Sequence, residues 1–117
     1  MRTTICKQYH FEAAHRLPKV PDGHKCQNLH GHNYRVDVHL SGPVDWSGFV
    51  RDFADIDRAM TRPLEKVDHR FLNEVEGLEN PTAEVIAAWF YQRLENVLPV
   101  SKIRVWETPE CWAEVAK

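Results

Sequence analysis

The stretch His30–Ser41 constrains the fold more than any other part of the chain. Tyr34, Val36, Val38 and Leu40 take one parity; Arg35, Asp37 and His39 take the other. Successive side chains of a strand point to opposite faces, so the alternation predicts a half-buried antiparallel strand. Such a strand needs partners along its edges and a cover on its apolar face. Thr3–Leu17 reads as one partner, with Ile5, Tyr9, Phe11 and Ala13 alternating and His15 ending the same face. Pro18–Leu29 reads as a loop, marked by Pro18, Pro21, Asp22 and Gly23. After the Gly42-Pro43 turn, Phe49-Val50 reads as a short third strand.

The cover comes from two helical patterns. From Asp52 to Val67, apolar residues Phe53, Ile56, Met60, Leu64 and Val67 step by threes and fours. Pro63 lies inside that helix and is expected to kink or weaken it. A second helix is expected to open at Asn80-Pro81, with Asn80 as cap and Pro81 in the first turn. Its stripe is Ile86, Phe90, Leu94 and Val97, widened by Val85 and Trp89. Lys102–Thr108 and Cys111–Ala116 read as two last strands around Pro109-Glu110. The order β-β-(β)-α-α-β-β predicts an α+β fold, an antiparallel sheet with two helices on one face. Open sheet edges favour an oligomer that closes them against each other.

A chain of 117 residues that is 43% hydrophobic fits one domain, residues 1–117, with one core. Its net charge of −2 gives no bulk attraction to nucleic acid or to an anionic membrane. No apolar run is long enough to span a bilayer, and Met1–Cys6 does not read as a signal peptide. Three cysteines without framework spacing argue against a disulfide scaffold and for a reducing, cytoplasmic setting.

His30-Gly31-His32 places two imidazoles on one side of an extended segment, at its entry into the interior. With His15 they make a three-nitrogen set whose fourth position stays open to water or substrate, the pattern of a catalytic zinc site. Iron and nickel remain alternatives at this level. The other histidines, His10, His24 and His39, read as surface or satisfied residues. Cys26 lies in the polar loop after Lys25, whose charge favours a thiolate. Cys6 and Cys111, on expected strands, read as small structural hydrophobes. Asp68-His69 follows the first helix, either as a C-terminal cap or as a carboxylate–imidazole proton relay. Glu107 ends the apolar row of Ile103 and Val105, so it needs a donor partner. A salt bridge meets that need, and so does a ligand edge with paired N–H donors such as a pterin or guanine.

In order along the chain stand Phe11-Glu12-Ala13-Ala14-His15-Arg16-Leu17-Pro18, Cys26-x-x-x-His30-Gly31-His32, Asp68-His69, Glu79-Asn80-Pro81-Thr82 and Trp106-Glu107-Thr108. This set, from about Ile5 to Thr108, resembles the 6-pyruvoyltetrahydropterin synthase family of tunnelling folds. The resemblance implies His15, His30 and His32 as zinc ligands and Cys26 as catalytic thiol. It implies Asp68 and His69 as the relay, Glu107 as pterin anchor and Thr82 in the pocket wall. It further implies a homohexamer of two stacked trimers whose sheets form a barrel, with sites between subunits. The Cys26-to-His30 spacing and Glu12 lean toward the branch of the family that makes 6-carboxytetrahydropterin for queuosine. The implied reaction consumes 7,8-dihydroneopterin triphosphate and releases acetaldehyde and triphosphate. Arg16 and Lys25 are candidates for the triphosphate. The rival readings are the pyruvoyl-forming reaction, which eliminates triphosphate without carbon–carbon cleavage, and a non-catalytic zinc- or pterin-binding module.

Overall fold

A computed structural model describes residues 1–117. Its strands are β1 (Thr3–His15), β2 (His30–Gly42), β3 (Arg70–Phe71), β4 (Val100–Thr108) and β5 (Cys111–Ala116). Two helices, α1 (Phe53–Val67) and α2 (Ala83–Leu94), complete the fold, with short 3-10 turns at Lys25–Gln27 and Leu72–Glu74. The strands form one sheet in the order β3-β1-β2-β4-β5, antiparallel except where β3 runs parallel to β1.

The alternation of β2 fixes the core. Tyr34, Val36, Val38 and Leu40 are fully buried, facing Phe11 of β1 and Ile103 and Val105 of β4. Phe11 stacks on Tyr34 with centroids 4.8 Å apart, and Phe90 of α2 closes over it at 5.9 Å. Each such side chain contributes about 1.5–3 kcal/mol by leaving water. The polar parity of β2 holds a surprise at Asp37, which is only 3% exposed. Arg35 Nε and Trp106 Nε1 donate to its carboxylate at 3.1 and 2.8 Å, and the Arg35 guanidinium lies 4.1 Å from the Trp106 ring. Paired on both oxygens, the charge is tolerated under cover.

Several boundaries differ from expectation, each for a local reason. β1 stops at His15, because the Leu17 amide turns away to donate to the Cys26 carbonyl at 2.8 Å. Phe49-Val50 forms no strand. The Asp45 carboxylate accepts from the Ser47 and Phe49 amides and folds this segment into a tight loop. The third strand is instead β3, whose two residues are too few to show alternation. α1 opens one residue later than read, with Asp52 as its cap accepting from the Ala54 amide. It runs through Pro63, which is buried, whereas Phe53 is exposed. α2 begins at Ala83, and its cap is Thr82, whose hydroxyl accepts from the Val85 amide at 3.1 Å, not Asn80. Val97 lies beyond α2 and is exposed. Cys6 and Cys111 are exposed, not buried as their strand positions suggested. No helix is long and apolar enough to cross a membrane.

Candidate metal centre and its surroundings

The register of the β1–β2 pair builds the centre. His15, the last residue of β1, lies directly opposite His30, the first of β2. His32 follows on the same face two residues on. From β4, on the other side of β2, comes Glu107. Between β4 and β5 the register steps from Trp106↔Trp112 to Thr108↔Cys111, so Glu107 is the extra residue of a bulge. Bulges re-aim a side chain, and this one turns a carboxylate toward three imidazoles. The donor atoms of His15, His30, His32 and Glu107 all lie within 4.8 Å of one another.

Backbone carbonyls set the tautomers. His15 Nδ1 lies 2.9 Å from the Pro81 carbonyl, and His30 Nδ1 lies 2.7 Å from that of Asn28. A carbonyl only accepts, so each Nδ1 carries a hydrogen and each Nε2 presents a lone pair. Those two Nε2 atoms stand 3.0 Å apart. Two lone pairs at that distance repel each other, and a shared cation relieves the repulsion. Carbonyls behind the ring nitrogens are also the usual outer support of metal-bound histidine. Burial, the largest influence, lowers the pKa of His32 despite the opposing Glu107 carboxylate, which favours the neutral, ligating ring. Its Nε2 is buried without a hydrogen bond, although Glu107 Oε1 comes within 2.9 Å. Three neutral nitrogens and one carboxylate suit a divalent metal, and these residues fit one.

Cys26 lies in the 3-10 turn Lys25–Gln27, whose cap is His24 through Nδ1 to the Cys26 amide at 3.0 Å. With Lys25, His30, His32, Glu107, Thr108 and Cys111 it lines a cavity of about 380 Å³. The expected thiol, one expected cation and the donors His30, His32 and Glu107 therefore share one space, and Cys111 joins them unforeseen. Asp68 and His69 do pair, with Asp68 Oδ1 2.9 Å from His69 Nδ1. Asp68 is at the same time the C-terminal cap of α1. His69 lines a different cavity of about 500 Å³, where it is joined by Glu12, His32 and Arg70. Within one chain His69 and Cys26 thus stand on two sides of His32. Thr82 lies beside the centre in sequence, but its hydroxyl caps α2; the segment reaches the centre through the Pro81 carbonyl. Arg16 is exposed, its backbone fixed by Asn73 at 3.0 and 2.8 Å. Pro81, Asn28 and Asn73 were not anticipated, since backbone acceptors and loop clamps leave no pattern in side-chain chemistry.

Comparison with known proteins follows this geometry. The family model described as 6-pyruvoyl tetrahydropterin synthase matches residues 4–117. The chain is 37% identical to a Haemophilus influenzae protein named 6-carboxy-5,6,7,8-tetrahydropterin synthase, covering 94% of this chain and 96% of that one. It is 41% identical to a Synechocystis protein of the same name, covering 79% and 74%. Among solved structures, the Caenorhabditis elegans 6-pyruvoyl tetrahydropterin synthase superposes with a TM-score of 0.91 at 32% identity, covering 100% of this chain and 96% of that one.

Proposed function

The chain belongs to the 6-pyruvoyl tetrahydropterin synthase family, and from that premise we propose that it is a zinc-dependent lyase of the 6-carboxytetrahydropterin type. Its substrate is 7,8-dihydroneopterin triphosphate, and its products are 6-carboxy-5,6,7,8-tetrahydropterin, acetaldehyde and triphosphate, on the route to queuosine in the cytoplasm. The observation that carries this reading is the convergence of His15, His30, His32 and Glu107 beside the cavity of Cys26. The carboxy-forming relatives favour this branch over the pyruvoyl-forming one.

His15, His30 and His32 are the proposed zinc ligands. Bound zinc supplies Lewis acidity toward the hydroxyls of the substrate side chain. Cys26 is the proposed base that takes a proton from a side-chain carbon, with Lys25 beside it to stabilise the thiolate. The Asp68–His69 pair exchanges protons at the opposite side of the substrate. Glu107 accepts the paired N–H donors of the pterin ring and so holds the reacting carbons within reach. Thr82 belongs to the pocket wall, with its hydroxyl serving the helix cap. The separation of Cys26 from His69 supports a site shared between subunits of a homohexamer, with thiol and relay contributed by different chains. Exposed apolar residues Val44, Trp46, Phe49 and Phe53, clustered in one segment, support a surface covered in that assembly.

Mass spectrometry of the products tests the branch. The expected result is 6-carboxytetrahydropterin from wild-type protein and none from Cys26→Ala. A pyruvoyl pterin formed without carbon–carbon cleavage assigns the chain to the other branch. Full turnover in Cys26→Ala removes the thiol from the mechanism.

A further inference from the structure

The turn from α1 into β3 holds a second group of titratable side chains. His69, at φ 57°, is the one non-glycine residue in the left-handed region, where such residues are uncommon. Glu12 of β1 holds it there. The Glu12 amide donates to Asp68 Oδ1 at 3.0 Å, and the Glu12 carbonyl accepts from the His69 amide at 2.6 Å. The ring of His69 is then spanned by two carboxylates. Asp68 Oδ1 lies 2.9 Å from Nδ1, and Glu12 Oε2 lies 3.5 Å from Nε2. Ionised carboxylates only accept hydrogen bonds, and a neutral imidazole donates from one nitrogen alone. Were the ring doubly protonated, each nitrogen would face one carboxylate. The other charged or titratable groups around this space are His32 of β2 and Arg70 of β3, which line the same cavity. Arg70 makes no ion pair with either carboxylate, leaving both free for His69.

We infer that Glu12 is a positioning residue of the relay, holding the His69 ring in the orientation from which Nε2 donates a proton. The inference rests on the lyase reading above and gives the relay a direction. His69 gives up the Nε2 proton to the substrate. The ring becomes neutral, keeps its Nδ1–H on Asp68, and regains the Nε2 proton from solvent. The His69 side chain is 74% exposed, so water reaches it in the isolated chain. The proton taken up by Cys26 and the proton given by His69 then travel in opposite directions across the substrate.

Glu12→Gln tests this, because it keeps shape and removes charge. The expected result is a KM within about twofold of wild type and a kcat about tenfold lower, the scale of loss for an orienting partner. Proton NMR supplies a readout independent of turnover. The carbon-bound ring protons of His69 are expected to shift between wild type and Glu12→Ala. An unchanged kcat in Glu12→Gln, or an unchanged resonance in Glu12→Ala, overturns the inference. So does reduced thermal stability as the sole effect, which marks a structural clamp. Wild-type protein inactive toward dihydroneopterin triphosphate instead defeats the lyase reading, while the resonance still decides whether Glu12 holds the ring.

Discussion

Glu107 shows how one residue comes to serve a site. It has the parity of Ile103 and Val105, so its place on the interior face was legible in the sequence. The bulge that aims it was not, because register between strands is a tertiary property. Its proposed anchoring role separates from metal binding by experiment. Glu107→Gln is expected to raise KM for the pterin at least tenfold, since a half-buried carboxylate–N–H pair is charge-assisted, with zinc content unchanged by metal analysis. Lost zinc with unchanged KM would make it a metal ligand instead. His39 gives a pH prediction. Burial, followed by the Lys102 charge, lowers its pKa, and its Nδ1 is buried without a partner. The unfolded chain takes up this proton near pH ~6.5, the folded chain only at lower pH. Below that value the unfolded state holds more protons, so stability falls as pH drops. Denaturant midpoints at pH 7.5 and 5.5 are expected to differ less in His39→Asn than in wild type; equal differences contradict the assignment.

At the scale of elements, the long amphipathic patterns were legible and the short ones were not. β2, α1 and β4 carry enough periodic residues for one face to stand out. β3 does not, and it exists because the Asp68–His69 turn is clamped to Glu12 and brings Arg70 beside Ala13. The start of α2 was misread because Asn80 and Thr82 are both good caps, and the hydrogen bond to Val85 chooses Thr82. Thr82→Ala is expected to destabilise the fold by about 1 kcal/mol, read from the urea midpoint, and Thr82→Ser to restore most of it. Because Pro81 holds His15, loosening this cap is also expected to weaken zinc affinity. No change in either quantity would show that the cap does not tune the centre.

At the scale of the molecule, the sheet ends in β3 on one side and β5 on the other, both open. The chain is elongated, 56 × 24 × 23 Å, which suits a stave in a larger barrel better than a closed globule. The sequence made these open edges legible, whereas the division of Cys26 and His69 between two cavities appears only in three dimensions. If each site draws on two subunits, inactive Cys26→Ala and His69→Ala chains unfolded and refolded together regain activity. Random mixing in a closed homo-oligomer leaves about a quarter of sites with both groups intact. Continued inactivity of well-folded mixed oligomers would place both groups in one chain.

The most direct measurement of the central claim is acetaldehyde released from 7,8-dihydroneopterin triphosphate by metal-free and zinc-reconstituted protein. The metal centre and the lyase reading together predict acetaldehyde and triphosphate in equal amounts from the zinc form, and neither from the metal-free form or from a reconstituted His30→Ala, His32→Ala double variant. Equal release with and without metal, or triphosphate without acetaldehyde, would contradict it.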